Sequence, residues 1–127
     1  MKPAKSADRV LERLRRLCLS LPEVAEVQAW GHPNFRVGKK TFAVFEFYHR
    51  RPCIAVKVEE GLQHVLIDDV RIFRTPYIGH RGWISIWTDG ALNWTMVQDL
   101  VRGSYKLMAP KKLLVRSTGR SPTRLDR

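Results

Sequence analysis

Apolar residues along the first twenty-one positions recur with helical spacing. Val10, Leu14, Leu17, Cys18 and Leu21 fall at i, i+4, i+7, i+8 and i+11, one stripe of a 3.6-residue period. Lys5, Arg9, Arg13 and Arg16 form a basic ridge elsewhere on the same helix, with Ser6 as its expected N-cap and Pro22 as its end. From Ala25 onward the period falls to two. Gln28 to His32 reads as a first strand, and Phe35-Arg36-Val37, Gly38-Lys39 and Thr41 to Phe47 read as a hairpin. Its turn carries Gly at the first central position, as a type II′ turn requires. His49-Arg50-Arg51-Pro52 supplies a second turn before Cys53 to Val58, where Ile54, Val56 and Val58 alternate with Cys53, Ala55 and Lys57. Strands joined this tightly make an antiparallel meander.

The pattern then shortens. Glu59 to Ile67 reads as a short helix with Leu62, Val65 and Leu66 inward, closed by the acidic turn Asp68-Asp69, and Arg71 to Tyr77 has no clear period. Trp83 to Thr88 is a strand with Trp83, Ser85 and Trp87 on one face and Ile84 and Ile86 on the other. Asn93 is the expected N-cap of a last helix carrying Val97, Leu100, Val101, Ser104 and Met108, which ends before Pro110. Trp30 and Phe35 are expected to anchor the core on either side of a turn permitted by Gly31 and Pro33.

Composition fits one domain. A chain of 127 residues with 44% hydrophobic content can bury roughly two thirds of its unfolded surface, which excludes wholesale disorder. No apolar run reaches the ~20 residues of a membrane span, and Arg15 and Arg16 interrupt the early leucines, so a soluble cytoplasmic protein without a signal peptide is expected. Cys18 and Cys53 read as buried free thiols. His32, His49, His64 and His80 stand singly and no Cys-x-x-Cys occurs, so neither a metal nor another cofactor is expected.

Charge sharpens the picture because it comes in blocks. The net charge of +11 divides into +4 over residues 1–16, −2 over 17–35, +4 over 36–51, −3 over 52–70, +3 over 71–109 and +5 from 110 onward. Residues 114–127, with Arg116, Arg120, Arg124 and Arg127 among small polar residues, read as a flexible basic arm after a domain of residues 1–113. Lysines and arginines gathered on one face neutralise phosphates and release condensed counterions, so DNA is the expected partner. Arg36, Lys39, Lys40, Arg50, Arg51, Arg74, Arg81, Lys111 and Lys112 are the candidate contacts. The hairpin tips bearing Lys39-Lys40 and Arg50-Arg51 are suited to straddle a groove. An acidic protein partner is an alternative.

Catalytic signatures are absent: there is no Gly-x-Ser-x-Gly elbow, Walker lysine loop, Gly-x-Gly-x-x-Gly or His-Glu-x-x-His. Two loops could still hold a small ligand, one containing Trp30 and His32, the other Tyr77, His80, Arg81 and Trp83. In the first, His32 is expected to satisfy a backbone group. An enzyme built on Tyr77, His80 and Arg81 requires those three to converge in a concave pocket.

Several stretches, in order, carry a resemblance. Leu17-Cys18-Leu19-Ser20-Leu21-Pro22, Ala29-Trp30-Gly31-His32-Pro33, Phe35-Arg36-Val37-Gly38-Lys39, Gly82-Trp83 and Ser104-Tyr105-Lys106-Leu107-Met108-Ala109-Pro110-Lys111-Lys112 resemble the MmcQ/YjbR family of small bacterial proteins over residues 9 to about 113. The resemblance implies an α+β, two-layer, CyaY-like sandwich, with N- and C-terminal helices on one face of an antiparallel sheet. It also implies a double-wing module for DNA, with no catalytic residues to carry over. The segment Gly38-Lys39-Lys40 matches the family pattern, whereas Arg50-Arg51 and the tail beyond Leu113 match no motif. A frataxin-type iron role would need an acidic ridge, and the first helix has Asp8 and Glu12 among six basic residues.

Overall fold

A computed structural model of the chain describes residues 2–118. Helix α1 spans Lys2–Leu19 and is followed by strands β1 (Val24–Ala29), β2 (His32–Val37), β3 (Lys40–Tyr48) and β4 (Arg51–Lys57). Helix α2 (Gln63–Leu66), strand β5 (Ile72–Arg74), a 3-10 turn (Gly79–Arg81) and β6 (Trp83–Trp87) lead into α3 (Trp94–Met108) and α4 (Lys111–Thr118). All six strands pair antiparallel in the order β1-β2-β3-β4-β6-β5.

The α1 stripe does what its spacing requires. Leu14 and Cys18 are fully buried against the sheet, with Val10, Leu11, Leu17 and Leu21 packed around them. Helix α3 lays Val97, Val101 and Tyr105 on the same face, over Phe35, Val37, Phe42, Phe45, Ile54, Val56, Ile84 and Ile86. Each such side chain removed from water contributes roughly 1.5–3 kcal/mol. Asn93 caps α3 by accepting the Met96 N–H through Oδ1 at 3.1 Å. Arg15 of α1 donates two hydrogen bonds to Glu26 of the edge strand β1, at 2.6 and 2.8 Å.

One hydroxyl locks α3 to the sheet. The β3–β4 ladder runs from Tyr48↔Arg51 to Ala43↔Val56, so Phe42 and Lys57 would pair next. Instead the Lys57 N–H donates to Ser104 Oγ at 3.0 Å, and the Ser104 hydroxyl donates to the Phe42 carbonyl at 2.6 Å. Phe42 is also the extra residue of a bulge, since Phe35 pairs with Ala43 but Arg36 with Thr41. The bulge turns its ring into the core, edge-on to Tyr105 at 5.4 Å. The Tyr105 hydroxyl in turn donates to the Pro22 carbonyl at 2.8 Å.

Neither α1 nor α3 packs against the opposite face of the sheet. Cys53, Ala55 and Ser85, small residues of the central strands, are nonetheless buried, because larger side chains reach over them. Phe73 stacks on Trp87 at 4.3 Å and Tyr48 lies parallel to both. Ser85 shares a hydrogen bond of 3.0 Å with Thr75.

Several local expectations are corrected. Ser6 lies inside α1 and is not its cap. Gln28 to His32 is not one strand, because Trp30 and Gly31 form a two-residue turn between Ala29 and His32, both with positive φ. Trp30 is therefore 93% exposed at that tip and anchors nothing. Arg51 opens β4, and the second turn is His49-Arg50, again both with positive φ. Helix α2 has only four residues and leaves Leu62 and Val65 exposed, while Ile72–Arg74 forms a short edge strand. Trp83 is buried, but on the face away from α1 and α3. Helix α4 spans residue 113 and buries Leu113, and residues 119–127 of the expected arm lie outside the described residues, so the division at residue 113 is neither met nor overturned.

Replacing Ser104 by Ala should cost about 2–4 kcal/mol, because a part-buried amide and a buried carbonyl each lose their partner. Urea denaturation followed by tryptophan fluorescence measures this, and a loss below about 1 kcal/mol would mean that the ladder closes without the hydroxyl.

Candidate nucleic-acid interface

Strand direction decides which basic residues meet. The turns Trp30-Gly31 and His49-Arg50 lie at one end of the sheet, with Thr88, Asp89 and Gly90 after β6. The turn Gly38-Lys39, the end of β4 at Lys57 and the start of β6 at Trp83 lie at the other. The two basic hairpin tips are thus separated by the length of β3, nine residues, or roughly 26 Å at about 3.3 Å per residue. They point in opposite directions, and the expected straddling pair is corrected to two separate ends.

The Gly38 end is the more basic. Gly38 has φ +62° and pairing resumes at Val37↔Lys40, so Lys39 occupies the second position of a two-residue turn and stands exposed beside Lys40. The Pro110 ring fits against Gly38, 3.9 Å from where a Cβ would be. That contact brings exposed Lys111 and Lys112 to the same end. On the next strand Lys57 donates from Nζ to the Arg81 carbonyl at 2.7 Å, and Arg74 ends β5 two strands further out, beyond β6. Arg74 lies along Gly79, whose Cβ, if present, would meet Arg74 Cγ at 2.5 Å. Arg36 is half-buried and donates to Thr41 Oγ1 at 3.2 Å.

At the other end Arg51 is committed. Its guanidinium donates to both carboxylate oxygens of Asp89 at 2.8 and 3.1 Å and lies 3.9 Å over the Trp87 ring. The Arg51 hydrogen bond holds Asp89 below the ordinary carboxylate range. Among the described residues the ion pairs join Arg15 to Glu12 and Glu26, His32 to Glu46, and Asp89 to Arg51 and Arg71. Lys39, Lys40, Arg50, Arg74, Arg81, Lys111 and Lys112 belong to none of them.

The family whose model matches this chain is YjbR, over residues 19–107. The chain belongs to the YjbR family. Among solved structures it is similar to a Deinococcus radiodurans protein with a DUF419 domain, at 21% identity and TM-score 0.66, covering 89% of this chain and 83% of that one. It is also similar to a Pseudomonas syringae protein at 16% identity and TM-score 0.66, covering 76% of this chain and 97% of that one. No curated protein matches it. At these identities the likeness concerns the fold, the α+β arrangement of helices at both ends of an antiparallel sheet. No described helix is long and apolar enough to cross a membrane.

The YjbR-type motif residues turn out to be braces. Ser104, Tyr105 and Pro110 make the contacts described above, with Phe42 and Lys57, with Pro22 and with Gly38.

The ligand-loop candidates do not assemble. Trp30 and Tyr77, 94% exposed, sit on separate loops. His80 and Arg81 line a cleft of about 480 Å³ with Lys57, Glu59, Glu60 and Gln63, but Tyr77 is not among its walls. The trio therefore does not converge. His32 faces a side chain and not a backbone group, with Nε2 3.7 Å from Glu46 Oε1. Cys18 and Cys53 are free and buried as expected; desolvation raises both thiols, Cys53 to about 12. No three His, Cys, Asp or Glu side chains are placed to hold a metal among the described residues.

Burial raises the Glu46 carboxyl above its usual value, and nearby His32 only partly offsets this. A carboxyl raised on folding opposes stability once pH exceeds its unfolded value, and that penalty fades as pH falls through the unfolded value. Glu46→Gln should therefore match or exceed the parent midpoint at pH 7, with the advantage shrinking toward pH 4. Thermal melts across that range check it; a variant less stable at pH 7 would show that His32 dominates.

Proposed function

We propose that this YjbR protein binds DNA through the phosphate backbone, using the cationic rim at the Gly38 end of its sheet. The observation that carries the reading is the placement of Lys39 and Lys40, Lys57, Arg81 and Arg74 at the same end of neighbouring strands β3, β4, β6 and β5. Lys111 and Lys112 extend that row from α4. Adjacent strands lie about 4.8 Å apart, so the cations form a line and not a point. None of them is neutralised by a carboxylate within 4 Å among the described residues.

A line of amines and guanidiniums without carboxylate partners among the described residues suits a polyanion, because each phosphate contact releases counterions and none requires a base edge. Arg36 borders the rim. Arg50 and Arg51 fall outside it, one at the far end and the other paired to Asp89. Glu59 and Glu60 follow β4 at this end and hold the local charge in check, so the binding is modest and salt-sensitive.

Fluorescence anisotropy with a short duplex should give micromolar affinity that weakens steeply between about 50 and 200 mM salt. The double substitution Lys39→Ala, Lys40→Ala should reduce the salt slope by up to about 2, near 1 per phosphate contact, whereas Arg51→Ala should leave it unchanged. Absence of binding at the low-salt end would sink the reading, and an effect of Arg51 equal to that of the lysines would move the surface to the opposite end.

A further inference from the structure

The outer side of α3 opens onto a groove of about 270 Å³, walled on one side by the helix and on the other by the chain leaving β4. Its apolar lining is Val58, Leu62, Leu100, Gly103 and Leu107, of which Leu62 and Leu107 are exposed. Gly103 is the unexpected member. It lies in the interior of α3, where glycine is disfavoured against alanine because it loses more backbone freedom. A Cβ built on it would meet nothing within 4 Å outside its own helix. Packing inside the chain therefore does not require the missing side chain, whereas its absence lets a second backbone come close to α3.

The residues around Gly103 are self-complementary. Asp99 and Lys106 are seven residues apart, and so are Leu100 and Leu107; two turns of helix place each pair on one line along the axis. Both pairs bracket Gly103. With α3 of a second copy laid antiparallel across that glycine, Asp99 faces Lys106 of the second copy and Leu100 faces its Leu107. A two-fold axis repeats each contact, as an isologous interface requires. Neither Asp99 nor Lys106 belongs to an ion pair among the described residues. Within one copy they stand roughly 10 Å apart along the helix, at about 1.5 Å per residue, too far to pair with each other. Lys57 and Glu59 are the other charged residues of the groove, so its two cations and two carboxylates cancel. On a chain of net charge +11, a neutral apolar patch is where two copies meet with least repulsion.

We propose that the chain forms a two-fold dimer through this groove, with the α3 helices antiparallel, Gly103 at the crossing and reciprocal Asp99–Lys106 pairs on either side. Of the cations assigned to the DNA surface only Lys57 lines the groove, and the proposal does not depend on that reading.

Sedimentation equilibrium of the full chain tests it, at about 150 mM salt, where a Debye length of about 8 Å screens the net charge. A monomer–dimer equilibrium in the micromolar range is expected, since the contact falls at the small end of specific interfaces. Asp99→Lys and Lys106→Asp should each weaken association by about tenfold or more, because like charges then face each other twice. An equimolar mixture of these two variants should associate again, since every lysine now meets an aspartate across the contact, and this recovery also shows that both variants are folded. Gly103→Gln should weaken association comparably while the melting midpoint at low concentration stays equal or rises, glutamine being the better helix former. Arg102→Ala, about 100° round the helix from Gly103, should leave association unchanged. A parent chain that remains monomeric up to about 1 mM would overturn the proposal and leave the groove to a different protein. Association indifferent to Asp99→Lys or Gly103→Gln, or a mixture of the two charge variants that stays monomeric, would overturn it equally.

Discussion

The Ser104 hydroxyl holds the arrangement together. By standing between the Lys57 amide and the Phe42 carbonyl, it substitutes for one rung of the central ladder and fixes α3 along its own axis. A helix resting on an apolar sheet face can slide with little loss of buried area, since the hydrophobic effect has no direction. Two hydrogen bonds to backbone groups supply the direction. The next residue, Tyr105, then reaches the carbonyl of Pro22, which fixes where α1 ends and β1 begins. Five residues on, Pro110 meets Gly38. Three contacts spaced over seven residues thus register both terminal helices against the sheet, and the functional rim inherits its geometry from them.

Much of this was legible in the sequence, for reasons that can be stated residue by residue. The turn at Gly38-Lys39 was readable because only glycine takes φ +62° without cost, and Asn93 was readable because its side chain imitates a backbone acceptor. The turns Trp30-Gly31 and His49-Arg50 were not. Their φ values of +58°, +52° and +65° at Trp30, His49 and Arg50 occur at residues that normally avoid that region, where Asn-Gly would announce itself. A tryptophan in such a turn looks like core by composition and lies in solvent by geometry. Strand β5 and helix α2, of three and four residues, are too short for any period to register.

The candidate site was half legible because charge blocks are a property of the chain and charge surfaces a property of its path. Residues 36–51 form one positive block in sequence, yet β3 runs through the middle of it and carries Lys39-Lys40 and Arg50-Arg51 to opposite ends. Lys111 and Lys112, some seventy positions later, rejoin the first half through Pro110. Arg51 shows the further loss that only packing reveals. Asp89 and the Trp87 ring occupy its guanidinium, so a residue that counts toward the net charge does not count toward the surface offered to a phosphate chain. Nothing in the spacing of residues 51, 87 and 89 announces that they meet.

The face away from α1 and α3 explains why binding is a matter of ends. An uncovered sheet face with Tyr48, Phe73, Trp83 and Trp87 on it has the composition of a platform for stacking bases. Here Trp87 already lies against Phe73 and under Arg51, and the large side chains close over Cys53, Ala55 and Ser85. Small residues in the central strands make that closure possible, because they leave room for rings from outer strands to lean inward. The aromatic area therefore contributes to stability, acting as a second, thinner core on the face away from both helices. With one face under α1 and α3 and the other lined by its own rings, cations outside every ion pair of the described residues remain where strands stop, most of them at the Gly38 rim. The same antiparallel register that builds the sheet sends Lys39-Lys40 and Arg50-Arg51 to opposite ends of β3, so the two turns can be altered one at a time.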